Sequence, residues 1–226
     1  MPIRLDERLT AIANCVDFGA VADVGCDHGK LGYYLVATDR ASKVIATDIS
    51  ESSLKKAEEL SLENGVGDLM CTRLGDGLVP VADGEADTVI IAGLGGDVIS
   101  EILARARSDG KSFSHFLLSP NTHPEKVRRE IVSQGHRIIK DFTVECLGKR
   151  YTVIKTERGG ESLDEYEIMF GKFYKHSADF VINAKKELDY KKAILDSNPN
   201  SETLAGRVAL LKSALANAEV NSDENI

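Results

Sequence analysis

Long apolar runs are missing from this chain of 226 residues. None approaches the roughly 20 residues that a membrane-spanning helix needs, which excludes a helical membrane protein. Cysteine is sparse and scattered. Cys15, Cys26, Cys71 and Cys146 form no C-x-x-C pair, so neither a zinc knuckle nor a redox dithiol is readable. The opening MPIRLDERLTAIANC lacks the apolar segment and cleavage site of a secretory signal. Together these absences predict reduced thiols and a cytoplasmic protein, with no membrane partner. A surplus of positive charge is missing too. The formal net charge is −8, from 28 Lys+Arg against 36 Asp+Glu. Residues 1–160 hold 20 against 24 and residues 161–226 hold 8 against 12, so each part carries −4 and neither is a basic arm. Bulk charge therefore argues against a nucleic-acid footprint, while a local basic patch stays open. The histidines His28, His115, His123, His136 and His176 fall at no metal-ligand spacing, and no metal is expected. No G-x-S-x-G elbow points to hydrolysis.

What is present is an ordinary globular composition, 42% hydrophobic and 28% charged. Apolar residues at Leu5, Leu9, Ile12, Ala13 and Val16 follow the stripe of an amphipathic helix. Short apolar runs then alternate with helical stretches. Strands are read at Ala20–Gly25, Lys43–Thr47, Asp68–Leu74, Asp87–Ala92 and Phe113–Leu118, with helices at Gly29–Ala37, Glu51–Asn64, Asp97–Arg107 and Pro124–Gln134. Ser50 is a good N-cap, and Gly65 a good stop. His136–Glu145 and Arg150–Glu157 read as a closing hairpin joined by Leu147-Gly148-Lys149. Alternation implies a parallel sheet with right-handed crossovers. The added hairpin distinguishes a Rossmann-like class I methyltransferase sheet from a dehydrogenase, which usually keeps alternating. After Thr156 the composition changes. Residues 165–196 and 201–219 read as an antiparallel pair of helices with Leu204, Val208, Leu211 and Leu215 facing Leu188, Ile194 and Leu195, and a frayed tail is expected from Asn221. The fold class is thus α/β, with a smaller C-terminal α-helical domain. The domains are read as 1–157 and 163–220.

Five motifs lie at strand exits. In Asp23-Val24-Gly25-Cys26-Asp27-His28-Gly29 a strand enters a glycine-bearing turn and then a helix, the place where open α/β sheets hold ligands. A nucleotide loop would put glycine where Asp27 stands. A carboxylate there repels a pyrophosphate and suits the cationic sulfur of S-adenosylmethionine. The bland alternative is a structural turn. Asp48 lies 23 residues after Gly25 (48 − 25), a common place for a ribose acceptor. Ile49 beside it is placed to stack on adenine, although Asp48 could serve only as a cap. In Gly75-Asp76-Gly77, Asp76 with Gly77 is read as accepting from the adenine amino group, or as a turn and no more. Gly93-Leu94-Gly95-Gly96 lets backbone approach a ligand closely, with carbonyls around Gly93 and Gly95 for the methionine ammonium. In Ser119-Pro120-Asn121, Asn121 offers a donor and an acceptor, which suits the edge of a base. Basic residues gather at Lys126, Arg128 and Arg129, at Arg137 and Lys140, at Lys149 and Arg150, and along the tail at Lys172, Lys175, Lys185, Lys186, Lys191 and Lys192. Such faces are often only solvated.

Taken together, Arg8-Leu9 with Ile12-Ala13, Ala22-Asp23-Val24-Gly25 with Asp27-His28, Gly75-Asp76-Gly77, Ile91-Ala92-Gly93-Leu94-Gly95-Gly96 and Pro120-Asn121 resemble the bacterial tRNA (adenine-N1)-methyltransferases that act on adenine 22 of the D-loop. Gly29, Lys30, Gly32, Leu94 and Ser119 depart from the usual residues of that family around the pocket. The resemblance implies S-adenosylmethionine as cofactor and tRNA as partner, with a helical C-terminal domain that contacts tRNA. It implies cofactor contacts from Asp23, Gly25, Asp48, Ile49, Asp76, Gly77, Gly93 and Gly95. Asp27 and Asn121 become the catalytic candidates. Substrate contacts are expected from His28, Lys126, Arg128, Arg129, Lys185 and Lys186. The expected state is a monomer or weak homodimer. Three other readings remain at this point: a methyltransferase for another acceptor, a NAD-dependent oxidoreductase and a non-catalytic RNA-binding module.

Overall fold

The computed structural model describes residues 3–223, with side chains described as far as Ala218. The chain divides into two compact units, Met1–Ser162 and Leu163–Ile226. Among the described residues, no helix is long and apolar enough to cross a membrane.

The first unit opens with α1 (Glu7–Ala13), whose first turn is capped by Asp6: its carboxylate accepts from the Leu9 N–H at 2.7 Å. Then β1 (Ala20–Val24), α2 (Lys30–Ala37), β2 (Lys43–Asp48), α3 (Glu51–Glu63), β3 (Met70–Leu74), β4 (Thr88–Ala92), α4 (Gly96–Ser108), β5 (His115–Ser119) and α5 (Pro124–Ser133) alternate along the chain. β6 (His136–Cys146) and β7 (Lys149–Arg158) close it as a hairpin. One seven-stranded sheet has the order β3-β2-β1-β4-β5-β7-β6, with β7 antiparallel to both neighbours. The central strands are buried along almost their whole length, as expected for parallel strands covered by helices. Ile12, Leu35, Val44, Ile90 and Leu117 are buried in one core cluster that joins α1 and α2 to the sheet. Each such side chain contributes about 1.5–3 kcal/mol of transfer free energy.

Two features of this layout position a site. The strand order reverses between β1 and β4, which opens a crevice at their carboxyl ends. Val24 is also level with Thr47 of β2 and with Ile91 of β4. The loops that follow these strands therefore emerge side by side.

In the second unit, the expected single helix over 165–196 is broken. Instead α6 (Glu165–Phe170) ends at Gly171 (φ +108°), a short 3₁₀ turn spans Tyr174–His176, and α7 (Ala178–Ser197) starts afresh with Ser177 as cap. Gly171 adopts a backbone conformation that a side chain would resist. A capping box between Asp164 and Glu167 fixes the start of α6. The reversal is held by the rings of Phe170, Tyr174 and Phe180, with centroids 5.1–6.0 Å apart. α8 (Glu202–Asp223) returns beside α7, and Ala184, Leu188, Val208, Leu211 and Leu215 make their core. Leu195 packs on its edge, while Leu204 and Ile194 are half-buried. The tail expected to fray from Asn221 is helical to Asp223, and 224–226 lie outside the described residues.

Candidate active site at the switch point

Asp23 lies within the buried stretch of β1 and is itself 4% exposed. The Gly32 N–H donates to its carboxylate, but Oδ2 has no hydrogen-bond partner among the described residues. Burial, helped by the charge on Asp48, pushes its pKa up to about 7. The carboxylate lines a pocket of about 110 Å³ together with Arg8, Gly25, Cys26, Asp27 and His28. The floor of the loop is pinned to β2: the N–H groups of Gly25 and Cys26 both donate to the Thr47 carbonyl, at 2.8 and 3.0 Å. Gly29 closes the loop at φ +68°, and a Cβ there would lie 2.6 Å from that of Ala57 on α3. The departure from the usual family residue at Gly29 is thus matched by close packing of α3. Burial pushes the Cys26 thiol upward, so it stays protonated and inert at neutral pH.

Asp48 ties the loops together. Its Oδ2 accepts from the Asp27 N–H at 3.1 Å and its Oδ1 from the Ser50 N–H at 2.9 Å. Ser50, not Asp48, caps α3 through the Ser53 N–H. Asp48 therefore braces the first loop against the second, and each oxygen keeps a further lone pair for a ligand. Ile49 projects from this turn 75% exposed, an apolar surface waiting for a flat partner. Asp27 is held at φ +52° with its side chain largely in solvent, 3.4 Å from His28 Nε2. His28 also meets Lys56 Nζ at 3.1 Å.

After β3, Asp76 forms an ion pair with Arg105 of α4 at 2.8 Å, which holds its carboxyl below the usual range. Thr47 Oγ1 donates to the Gly77 carbonyl at 3.1 Å and fixes this turn against β2. After β4, Gly96 starts α4 so close to the next loop that a Cβ would stand 2.3 Å from the His123 carbonyl oxygen. Gly93 and Gly95 border it, and Asn121 spans the gap. The Asn121 N–H donates to the Leu94 carbonyl at 2.8 Å and Nδ2 to the Gly93 carbonyl at 2.5 Å. Its Oδ1 accepts from Arg8 Nη1 at 3.3 Å. Both ends of the amide are thus engaged within the protein and order the β4 exit, while the side chain stays exposed and keeps one N–H and one lone pair for a ligand.

Arg8 is the residue that sequence reasoning left out of the site. It lies on α1, yet it lines the Asp23 pocket and also a cleft of about 600 Å³ with Gly93, Asn121, Lys149, Arg150 and Tyr151. Its guanidinium stands 4.7 Å from the centre of the Tyr151 ring.

The expected basic contacts divide. Arg128 is a correction: it is 3% exposed and forks onto Asp141 of β6 at 2.8 and 3.0 Å, a buried ion pair that no RNA could reach. The helical spacing that groups it with Lys126 and Arg129 does not show which of the three faces the sheet. Lys126 is exposed and paired with Asp97, and Arg129 is exposed on the same helix. Lys185 and Lys186 are exposed on α7 in the second unit. Among the described residues, no three of His, Cys, Asp and Glu stand together as a metal site.

Comparison with known proteins agrees with this geometry. A family described as a methyltransferase domain matches residues 5–154. The tRNA (adenine(22)-N(1))-methyltransferase of Bacillus subtilis is 33% identical over 158 residues, which is 70% of this chain and 66% of that one. The chain thus spans just under two thirds of that relative's length. The crystal structure of the B. subtilis tRNA methyltransferase TrmK matches with a TM-score of 0.84 at 28% identity, covering 94% of this chain and 99% of that one. A putative tRNA methyltransferase from Streptococcus pneumoniae, solved in complex with S-adenosyl-L-methionine, gives 0.85 at 26% identity over 94% of this chain and 100% of that one. A matched span that takes in α1, the exits of the parallel strands and most of the hairpin leaves one conclusion: the chain belongs to the methyltransferase-domain family.

Proposed function

We propose that the protein methylates N1 of an adenine in the D-loop of tRNA, at position 22, with S-adenosylmethionine as methyl donor. The observation that supports this reading is the buried Asp23 carboxylate, whose Oδ2 has no partner among the described residues, in a pocket also lined by Asp27, whose N–H donates to Asp48. The free Oδ2 of Asp23 favours a cationic group at the switch point over a pyrophosphate, which counts against NAD. The B. subtilis relative's name gives the reaction, and the S. pneumoniae structure gives the cofactor.

The residues present fit that cofactor. Asp23 would meet the methionine ammonium, with backbone around Gly25, Gly93 and Gly95 close by. Asp48 would accept from the ribose hydroxyls, Ile49 would cover one adenine face, and Asp76 with Gly77 would border the other end. The bound cofactor supplies an electrophilic methyl group. The adenine N1 lone pair forms the new bond to carbon as the carbon–sulfur bond breaks, so the positive charge passes to the base. Asp27, which lies beside His28, would stabilise that charge as it develops. N1 is mostly unprotonated at neutral pH, so positioning rather than a strong base supplies the rate. Drawing the base from its stack costs about a few kcal/mol.

The first unit carries the cofactor in this reading, and the helical unit, with Lys185 and Lys186, holds tRNA. Four free cysteines suit a cytoplasmic setting.

S-adenosylmethionine is expected to raise the melting temperature where NAD does not, and Asp48→Ala to remove most of the shift. Asp27→Ala is expected to lower single-turnover methylation by about 10²-fold. Reverse transcription of the product is expected to stop at a D-loop adenine. A larger shift with NAD, or a stop at another site, would overturn the reading.

A further inference from the structure

The larger cleft beside the cofactor pocket has a chemistry of its own. Arg8, Lys149 and Arg150 put three cations on its wall, and among the described residues no carboxylate lines it. That is a local reversal in a chain of net charge −8. Lys149 and Arg150 are exposed at the start of β7, whereas Tyr151 is half-buried and keeps its ring against the Arg8 guanidinium. The volume, about 600 Å³, is in the range of sites that seat a small molecule, about 300–1,000 Å³. Gly93 and Asn121 form the border toward the cofactor loops, and Arg8 is shared by both cavities. A ligand here must carry negative charge, present a flat face to an aromatic–guanidinium pair, and place a reacting atom next to the neighbouring pocket. A nucleotide within an RNA chain meets all three demands, because protein sites take unstacked bases on aromatic rings and arginine planes while cations hold the phosphates.

We propose that this cleft seats the acceptor nucleotide of the RNA, with Tyr151 and Arg8 against the base and Lys149 and Arg150 on its flanking phosphates. The proposal rests on the methyl-acceptor reading above and extends it to residues of α1 and the β6–β7 hairpin. Arg8 also acts as a positioning residue, since it ties the Tyr151 ring to the Asn121 amide and so to the β4 exit. Its contacts join α1 to a loop 113 residues away and to a strand 143 residues away (151 − 8).

The test uses the full chain. With S-adenosylhomocysteine present, tRNA binding is measured against salt for the wild type and for the Lys149→Ala/Arg150→Ala double variant. The double variant is expected to bind about tenfold more weakly, and its slope of log affinity against log salt to be about 1.5 smaller, as two lost phosphate contacts require. Its cofactor affinity is expected to stay within about twofold. In single-turnover methylation, Tyr151→Leu is expected to lose about tenfold or more in efficiency on RNA, and Tyr151→Phe to stay within about threefold, because the ring and not the hydroxyl does the stacking. A double variant with the wild-type salt slope, or a Tyr151→Leu variant that methylates as the wild type does, would overturn the proposal. Failure of the wild type to methylate any tRNA would sink the proposed reaction instead, and the salt slope would still report whether the cleft takes RNA.

Discussion

In the proposed role Asp23 has two opposed tasks: it must survive burial in the ligand-free protein, and be charged when a cation binds. In an unfolded chain an aspartate titrates near about 3.9, whereas burial pushes Asp23 up to about 7 in the fold. The folded protein therefore holds the extra proton between these values. The stability tied to that proton is fully present below about pH 4 and is lost as pH rises through about 7. Asp23→Asn, which needs no proton, is expected to raise the melting temperature of the ligand-free protein more at about pH 8 than at about pH 5. Cofactor affinity should run the other way. It is expected to rise in the wild type from about pH 5.5 to about 7.5, and to be flat and about tenfold weaker at the upper end in the variant, as calorimetry would read it. A pH-independent wild-type affinity would remove Asp23 from the ammonium site. The carboxylates at the strand exits were legible in the sequence because strand ends follow from apolar runs and glycines. Arg128 and Arg8 were not. The partner of Arg128 is Asp141 on another element, and Arg8 meets Asn121 only through tertiary packing.

The β6–β7 hairpin shows how an element can keep a local cost. Its tip is Leu147-Gly148, with φ of +51° and +71°. Two positive φ values make the tight turn that matches strand twist, for which Asn-Gly is the preferred pair. A leucine there is strained by its Cβ, and it recovers nothing by burial, since it is 91% exposed. Leu147→Asn is expected to stabilise the protein by about 1 kcal/mol, seen as a higher midpoint at unchanged slope in urea. No gain would mean that the leucine makes a contact that compensates the strain. The hairpin itself was legible from its alternation and its glycine. The helical unit was legible only as helix, because the Lys-, Glu- and Ala-rich stretches of α7 and α8 set its pattern and no proline marks a break in the aromatic-rich segment around Gly171. What stops α6 is one backbone angle and a three-ring cluster, and neither is written in periodicity.

At the scale of the whole molecule, each unit buries its own core, one around the seven-stranded sheet and one between α7 and α8. The sequence placed the boundary between 157 and 163 from a change in composition. The last sheet contacts reach a little beyond its first edge: β7 runs to Arg158, the Gly159 N–H donates to the Gly135 carbonyl, and the Glu161 carboxylate accepts from the Ile138 N–H at 2.5 Å. A cut at Glu157 would strip these hydrogen bonds from β6, so the clean division is after Ser162. A chain ended there keeps every strand exit, the Asp23 pocket and the Arg8–Tyr151 cleft. It is expected to bind S-adenosylmethionine within about threefold of the full chain. Its tRNA affinity is expected to fall about tenfold or more, with a shallower salt dependence, because Lys185, Lys186 and their neighbours leave with the helices. The remaining salt slope then isolates what Lys149 and Arg150 contribute. Equal tRNA affinity in the shortened and full chains would assign all the RNA contacts to the sheet unit, and leave the helical unit a structural or partner-binding role.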